Sequence, residues 1–375
     1  MKLAVLTHYI TSYRISTFVA LARKVDHLTL VLSSDLSDPK LHDAGLDVRI
    51  LPSLLLPRKR RHPNGFVETY TVHVPRGVVA ELRRIDPDVI HAHEFGLRTV
   101  MACAWKVAYR RPMVIHADLS EETERGRGFG RSLLRRAILG VTDRVAVNGD
   151  SGSRYIQGLG YPASRIDRLP FATDVGIFGA VRPLWRRDGV RRLLYVGRLI
   201  ELKGIEAFIA QLGAYLSTRP ELRAELTLAG DGDRVASIRA VPRPANLTLN
   251  MPGAIPYTEL GKVYEAADCF VLPTLGDTWG LVVNEAMMAG LPVLGSTLGQ
   301  AAVELIDENV NGWLFDPRRT EDMGRAIGRF FDTPDERLPE MGERAREAAM
   351  KISPDNVAQR FVDSCETALR ARPKR

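Results

Sequence analysis

Leu193-Leu194-Tyr195-Val196-Gly197-Arg198-Leu199-Ile200-Glu201-Leu202-Lys203-Gly204 is the stretch on which the fold turns. Residues 193–196 are apolar and form a short buried strand, Gly197 lets the backbone turn tightly at its end, and the apolar spacing over 204–216 predicts a helix. The same strand–turn–helix unit recurs downstream. Strands are predicted at 226–229, 247–250, 269–272 and 292–295, and helices at 258–267 and 281–289. Upstream, strands at 2–6, 28–32, 89–92, 113–116 and 144–148 alternate with helices such as 15–24 and 99–109. This alternation is the pattern of parallel sheets covered by helices, so the class is α/β.

The alternation is interrupted once. Residues 176–191 carry glycines, a proline and several charges without a clear period, and read as a linker. A first domain at 1–175 and a second at 192–350 are expected, followed by a C-terminal helix within 351–375 that packs back toward the first domain. Two domains suit a chain of 375 residues.

Composition excludes several classes. Hydrophobic residues make up 45% and charged residues 26% of the chain, and no apolar run approaches the ~20 residues that span a bilayer. The first apolar residues reach Thr7-His8-Tyr9 too soon for a secretory signal, so a cytoplasmic location is expected. Cys103, Cys269 and Cys365 are odd in number and far apart, which fits neither a disulfide frame nor a zinc site.

The net charge of +7 is uneven. Residues 1–175 hold 26 Lys and Arg against 18 Asp and Glu, whereas the remainder holds 26 against 27. A nucleic-acid surface, an anionic membrane surface and simple solubility all account for such an excess. No aromatic platform accompanies the arginines, which argues against nucleic acid. Leu54, Leu55 and Leu56 precede Arg58, Lys59, Arg60 and Arg61, and Leu133, Leu134 and Ile138 lie among Arg131, Arg135 and Arg136. Apolar residues beside arginines suit a peripheral contact with an anionic membrane, here the inner face of the cell membrane. A solvated loop and an ordinary packed helix are the alternative.

The chemistry-bearing residues fall at strand ends. Arg198 and Lys203 emerge at the carboxyl edge of the second sheet, where open α/β sheets bind ligands. An arginine fork and a lysine point charge suit a pyrophosphate, and would meet charge developing on a leaving diphosphate without a metal. Alone, they also read as solvated surface cations. A second loop, Leu272-Pro273-Thr274-Leu275-Gly276-Asp277-Thr278-Trp279-Gly280, leads into a helix whose free amides at Gly280, Leu281 and Val282 favour an anion. Glu285 lies about a turn further on, in a buried run of Val, Ala and Met, where its carboxylate can accept two hydrogen bonds from vicinal hydroxyls such as those of a ribose. Asp277 reads as a ligand or as a helix cap.

Together these segments resemble the retaining, nucleotide-sugar-dependent glycosyltransferases of family 4. The resemblance spans the second domain: Gly197-Arg198-Leu199 with Lys203-Gly204, Leu228-Ala229-Gly230-Asp231-Gly232, Tyr257-Thr258-Glu259-Leu260 with Tyr264-Glu265-Ala266-Ala267-Asp268, and Asn311-Gly312-Trp313-Leu314. It implies two Rossmann-like domains facing across a cleft, the GT-B arrangement. It also implies that Arg198 and Lys203 hold the diphosphate, Glu285 the ribose, and the amides of Gly280, Leu281 and Val282 the phosphates or sugar. Gly230 and Asp231 would face the nucleotide base. Asp277 stands where the family usually has a glutamate, with seven residues between it and Glu285. In the first domain, His116 matches the histidine that family members place beside the sugar's reacting carbon, which makes His116 and Asp277 the candidates for the catalytic centre.

Other motifs are set aside on their own chemistry. His91 and His93 read as strand-end hydrogen-bonding residues, and a metal site from them with His116 and Asp118 is disfavoured. Asp231-Gly232-Asp233 follows a glycine in the second sheet rather than forming a metal-binding loop, and Gly126, Gly128 and Gly130 follow no strand, so they form a loop and not a dinucleotide fingerprint. The family's glycine pair after the first strand is replaced by Thr7-His8-Tyr9 with Tyr13-Arg14 and Phe18.

The resemblance implies transfer of a sugar from a nucleotide diphosphate sugar to a hydroxyl of a glycan or lipid-linked acceptor, with retention, no resident cofactor and no metal. A nucleotide-sugar epimerase of the same fold and a non-catalytic sugar-nucleotide-binding protein are its rivals.

Overall fold

The computed structural model describes every residue except 36, 62–66 and 372–375, and gives the backbone alone for 60, 61 and 67–70. The chain forms two compact units: Met1–Ala172 with Pro354–Arg375, and Thr173–Ser353.

The first unit contains β1 (Lys2–Thr7), β2 (His27–Leu32), β3 (Asp47–Ile50), β4 (Ser53–Arg61), β5 (Val67–Pro75), β6 (Val89–His93), β7 (Met113–Ala117), β8 (Arg144–Val147) and β9 (Ile166–Arg168). Seven of them make one parallel sheet in the order β3-β2-β1-β6-β7-β8-β9. Every residue of β6 and β7 is buried, as expected of central strands covered on both faces. The core of this sheet centres on Leu6, Ile90, Ile115, Leu82 and Trp105.

β4 and β5 form a separate antiparallel hairpin, with Leu54 opposite Val74 and Leu55 opposite His73. The segment 54–61, read from sequence as a loop or membrane contact, is therefore a strand. Leu54 and Leu55 are exposed on it, while the side chains of Arg60 and Arg61 lie outside the described residues.

The second unit contains β10 (Val190–Val196), β11 (Arg223–Ala229), β12 (Leu247–Gly253), β13 (Cys269–Leu272), β14 (Val293–Ser296) and β15 (Gly312–Phe315). They pair in parallel in the order β12-β11-β10-β13-β14-β15. Both sheets thus reverse their strand order once, between β1 and β6 and between β10 and β13. At such a switch point adjacent loops diverge to opposite faces and leave a crevice at the carboxyl edge.

One boundary expectation changes, and the expected packing of the C-terminal helix on the first unit is seen. Residues 176–191 are not a free linker but part of the second unit. The helix Val175–Phe178 is capped by Asp174 Oδ1, which accepts from the amides of Gly176 (2.8 Å) and Ile177 (3.2 Å). The Arg346 guanidinium donates to the carbonyls of Gly179 (3.0 Å) and Val181 (3.0 Å), and the Leu184 amide to Glu265 O (2.9 Å). Irregular sequence here reflects satisfaction by distant side chains, which no local pattern reports. The helix Pro354–Arg370 belongs to the first unit, lying on the helix Ser12–Ala22 and on β6 and β7. There the Phe361 ring stacks on His91 at 3.8 Å.

Candidate active site

The switch point of the second sheet is built from three loops that lock together because their glycines allow close backbone approach. A Cβ on Gly230 would sit 1.8 Å from the Gly197 carbonyl oxygen, one on Gly232 2.2 Å from that of Leu199, and one on Gly204 2.4 Å from that of Pro273. The contacts thus permitted are hydrogen-bonded. The Leu199 amide donates to Asp231 O (2.8 Å), and the Leu275 amide to Leu202 O (2.8 Å). Thr274 Oγ1 also donates to Leu202 O (3.2 Å). The Tyr195 hydroxyl, buried at the end of β10, donates to Arg198 O (2.8 Å) and fixes the turn that carries this arginine.

The structure brings Lys203 and Asp277 together: the ammonium lies 2.5 Å from Asp277 Oδ2, with both side chains mostly buried. Asp277 is not the cap of the following helix. That helix, Leu281–Met288, has Gly280 as its N-cap, in the left-handed region at φ 97° with no side-chain cap. Asp277 is instead held by a one-residue parallel bridge to Gly299, its amide donating to Leu298 O (3.2 Å). Trp279 anchors the loop by donating from Nε1 to Asn284 Oδ1 (2.9 Å). The first amides of the helix, including those of Leu281 and Val282, precede any intrahelical acceptor and add positive potential.

Glu285 is 4% exposed. Its carboxylate accepts a hydrogen bond from the Tyr264 hydroxyl at 3.2 Å. Burial pushes this carboxyl up to about 7, against the Tyr264 bond, which favours the charged form. Burial likewise raises the Tyr264 phenol well above its ordinary value. Arg198 and Asp231 are exposed and Gly230 is half-buried. The Asp231 carboxylate accepts from the Gly232 amide at 2.7 Å. Among the described residues no group of three His, Cys, Asp or Glu side chains converges to hold a metal, and all three cysteines are buried free thiols.

His116 lies in the first unit, at the end of β7 and apart in the chain from all these groups. It is 2% exposed, and its Nε2 is 2.9 Å from Asn148 Oδ1. An amide oxygen only accepts, so Nε2 carries the proton and Nδ1 keeps a lone pair. Asn148 in turn donates to Asp118 Oδ1 at 2.6 Å. Burial pushes the His116 imidazole down to about 4, opposed in part by the Asn148 bond, so it is neutral at pH 7.

Sequence reasoning missed several groups. His91, expected to hydrogen-bond at its strand end, has no hydrogen-bond partner at either ring nitrogen among the described residues. His93 meets the Arg14 guanidinium at 3.1 Å. Arg135, grouped with cations facing a membrane, is 3% exposed, with its Nη1 2.5 Å from Glu124 Oε2. Asn148 and Arg98 were not singled out, and Tyr264 was noted only as part of a family motif. Arg98 left one signal: a basic residue in the first turn of a helix after a strand, where the helix dipole favours an acid.

Comparison with known proteins gives the family and the fold. The family described as glycosyl transferases group 1 matches residues 190–333, and the glycosyl transferase 4-like domain matches residues 15–172. A D-inositol 3-phosphate glycosyltransferase of Pseudarthrobacter chlorophenolicus is 27% identical over 315 residues, covering 78% of this chain and 74% of the relative. A glycogen synthase of Mycobacterium tuberculosis is 30% identical over 285 residues, covering 72% and 65%. Among solved structures, Anabaena HepE in complex with UDP and glucose aligns with a TM-score of 0.71 at 17% identity, covering 98% of this chain and 100% of that one. The two doubly wound units define a protein of the GT-B glycosyltransferase fold. The chain belongs to the group 1 glycosyltransferases, family 4.

Proposed function

We propose that this glycosyltransferase transfers a sugar, with retention and without a metal, from a nucleotide diphosphate sugar to a hydroxyl of a glycan or lipid-linked acceptor in cell-envelope or exopolysaccharide synthesis. The observation that carries the donor reading is Lys203 at the second sheet's switch point, held 2.5 Å from Asp277 just ahead of the helix Leu281–Met288. A mostly buried ammonium beside a helix N-terminus suits a diphosphate leaving group. Arg198, on the same turn, adds a second cation. Glu285 takes the ribose hydroxyls, Gly230 and Asp231 face the base, and Asp277 reaches the sugar. His116 of the first unit acts at the sugar's reacting carbon, where its neutral ring accepts or donates a hydrogen bond without adding charge. The UDP bound in the similar Anabaena structure supports a nucleotide donor, and the D-inositol 3-phosphate glycosyltransferase shows that a relative takes a small polar acceptor.

Peripheral attachment to an anionic inner membrane surface goes with a lipid-linked acceptor. The helix Phe129–Val141 supports it by exposing Phe129, Leu133 and Leu134 beside Arg131 and Arg136, in the unit that carries the excess positive charge. No helix among the described residues is long and apolar enough to cross a membrane.

Release of nucleoside diphosphate from a panel of nucleotide sugars, with and without candidate acceptors, tests the reading. Acceptor-dependent release that survives EDTA is expected. Conversion of a nucleotide sugar into its epimer without net release or acceptor would favour the epimerase, and binding without release or conversion the non-catalytic protein. Activity lost in EDTA and restored by a divalent ion would sink metal independence and bring Asp231 and Asp233 forward.

A further inference from the structure

The helix Leu281–Met288 starts without a capping side chain, its N-cap being Gly280 in the left-handed region. The peptide planes of Asp277-Thr278-Trp279-Gly280 are therefore not set by a cap of the usual kind. They are braced by the loop that follows β14. Ser296 Oγ donates to Thr274 O (2.7 Å), and the Asp277 amide donates to Leu298 O (3.2 Å). The Gln300 side-chain amide donates to Thr278 O, and the Ala301 amide donates to Trp279 O (2.7 Å).

In a trans peptide the C=O and the N–H point in opposite directions. The carbonyls of Thr278 and Trp279 are both drawn to the start of the helix Gln300–Leu305, so the amides of Trp279 and Gly280 point away from it. Neither amide donates to a backbone group among the described residues. They extend the run of free amides that opens the helix Leu281–Met288. Gln300 is 5% exposed and gives its N–H to a carbonyl, so it acts on the turn and not on a ligand. Its neighbour Gly299 pairs with Asp277, and Asp277 holds the Lys203 ammonium at 2.5 Å.

We propose that Gln300 is a positioning residue for donor binding. By holding Thr278 O it fixes the peptide unit between Thr278 and Trp279, and with it the backbone that carries Asp277 and the amides assigned to the donor's phosphates. The proposal rests on the glycosyltransferase reading and goes beyond it, because Gln300 lies outside the donor's own contacts. Gln300→Glu keeps the length of the side chain and changes its donor. Ionised, the new carboxylate only accepts and repels Thr278 O; protonated, its O–H donates as the amide does. Burial raises a carboxyl, which brings the protonated form into reach of mildly acidic buffer. Gln300→Met also keeps the length and donates at no pH.

Calorimetry of the full chain with UDP, ADP and GDP, continued with whichever binds the wild type most tightly, tests this as the ratio of variant to wild-type Kd at about pH 5 and about pH 8. The ratio cancels the titration of Glu285, which both proteins share. Gln300→Met should weaken binding about tenfold at both values. Gln300→Glu should do the same at the higher pH and recover to within about twofold of the wild type at the lower. With a nucleotide sugar kcat should follow these ratios, while the KM of the acceptor stays unchanged. Asn246→Ala removes a side-chain amide that donates to Leu216 O (3.2 Å), Arg219 O (3.1 Å) and Leu222 O (2.8 Å), and should lower the melting temperature without moving the ratio. Unchanged affinity in Gln300→Met, a Gln300→Glu ratio equal at both pH values, or an equal loss in Asn246→Ala would each overturn the proposal. Gln300→Glu carries the test if Gln300→Met fails to fold. If the wild type binds a nucleoside diphosphate and transfers a sugar while both variants match it, the positioning role fails and the proposed function stands. If the wild type binds none of the three nucleotides, the donor reading fails and takes this role with it.

Discussion

Lys203 and Asp277, 74 residues apart in the chain, form an ion pair of 2.5 Å at the switch point of the second sheet. The carboxylate therefore occupies the lysine that is proposed to hold the donor's diphosphate. The two negative groups compete, and Asp277→Asn should release Lys203. Nucleoside diphosphate affinity is expected to hold or rise a few-fold in that variant, while kcat falls at least about tenfold through loss of the carboxylate proposed to reach the sugar. Lys203→Ala should weaken the nucleoside diphosphate about tenfold. Calorimetry with steady-state kinetics reads both. Full activity in Asp277→Asn would remove Asp277 from the reaction.

Glu285 carries a pH signature with a definite sign. Its carboxyl titrates at 4.5 when unperturbed and at about 7 in the folded chain because it is buried. Between those values the folded state binds more protons than the unfolded one, so this group's contribution to stability falls as pH rises, by on the order of 3 kcal/mol in total. Denaturation of the wild type and of Glu285→Gln at pH 5 and 8 should show the difference closing at the lower pH. The ribose hydroxyls that Glu285 is proposed to take would donate to its ionised form, so nucleotide affinity should increase as pH rises through 7, and the variant should lose that dependence.

Asn148 positions His116 rather than reacting. Asn148→Ala leaves the buried Nε2–H without its acceptor and should cost about 1–3 kcal/mol. Nitrogen NMR of the ring should show the Nε2-protonated tautomer in the wild type and a mixture in the variant. A variant with unchanged tautomer and unchanged turnover would make the contact purely structural.

Gly230 and Gly253 separate close approach from backbone conformation. Gly230→Ala drives a methyl group into the Gly197 carbonyl and should cost more than about 3 kcal/mol and abolish nucleotide binding. Gly253 has φ +86° but open space around it, so Gly253→Ala should cost only about 1 kcal/mol. Equal melting temperatures for the two would contradict the locked-loop geometry.

The exposed ring of Phe129 and side chain of Leu133 give a membrane test. Sedimentation with anionic vesicles should weaken about tenfold in a Phe129→Ser, Leu133→Ser double variant and fall with added salt. Unchanged sedimentation would leave that helix face without a membrane role.

The alternation of apolar runs and helical periods by itself determined two parallel α/β sheets, because period and turn chemistry are local. It also determined the composition of the loops proposed to hold the donor, since Gly197, Arg198, Lys203, Gly280 and Glu285 lie within short reach of a strand end. The tertiary structure alone decided that Lys203 faces Asp277 and that residues 176–191 belong to the second unit. It alone joined Arg98 to His8, 90 residues away, and to Ser33, 65 residues away. These pairings follow from strand order, which sets β10 beside β13 and β1 beside β6. Strand order is fixed by packing across the whole sheet, and no window of sequence contains it.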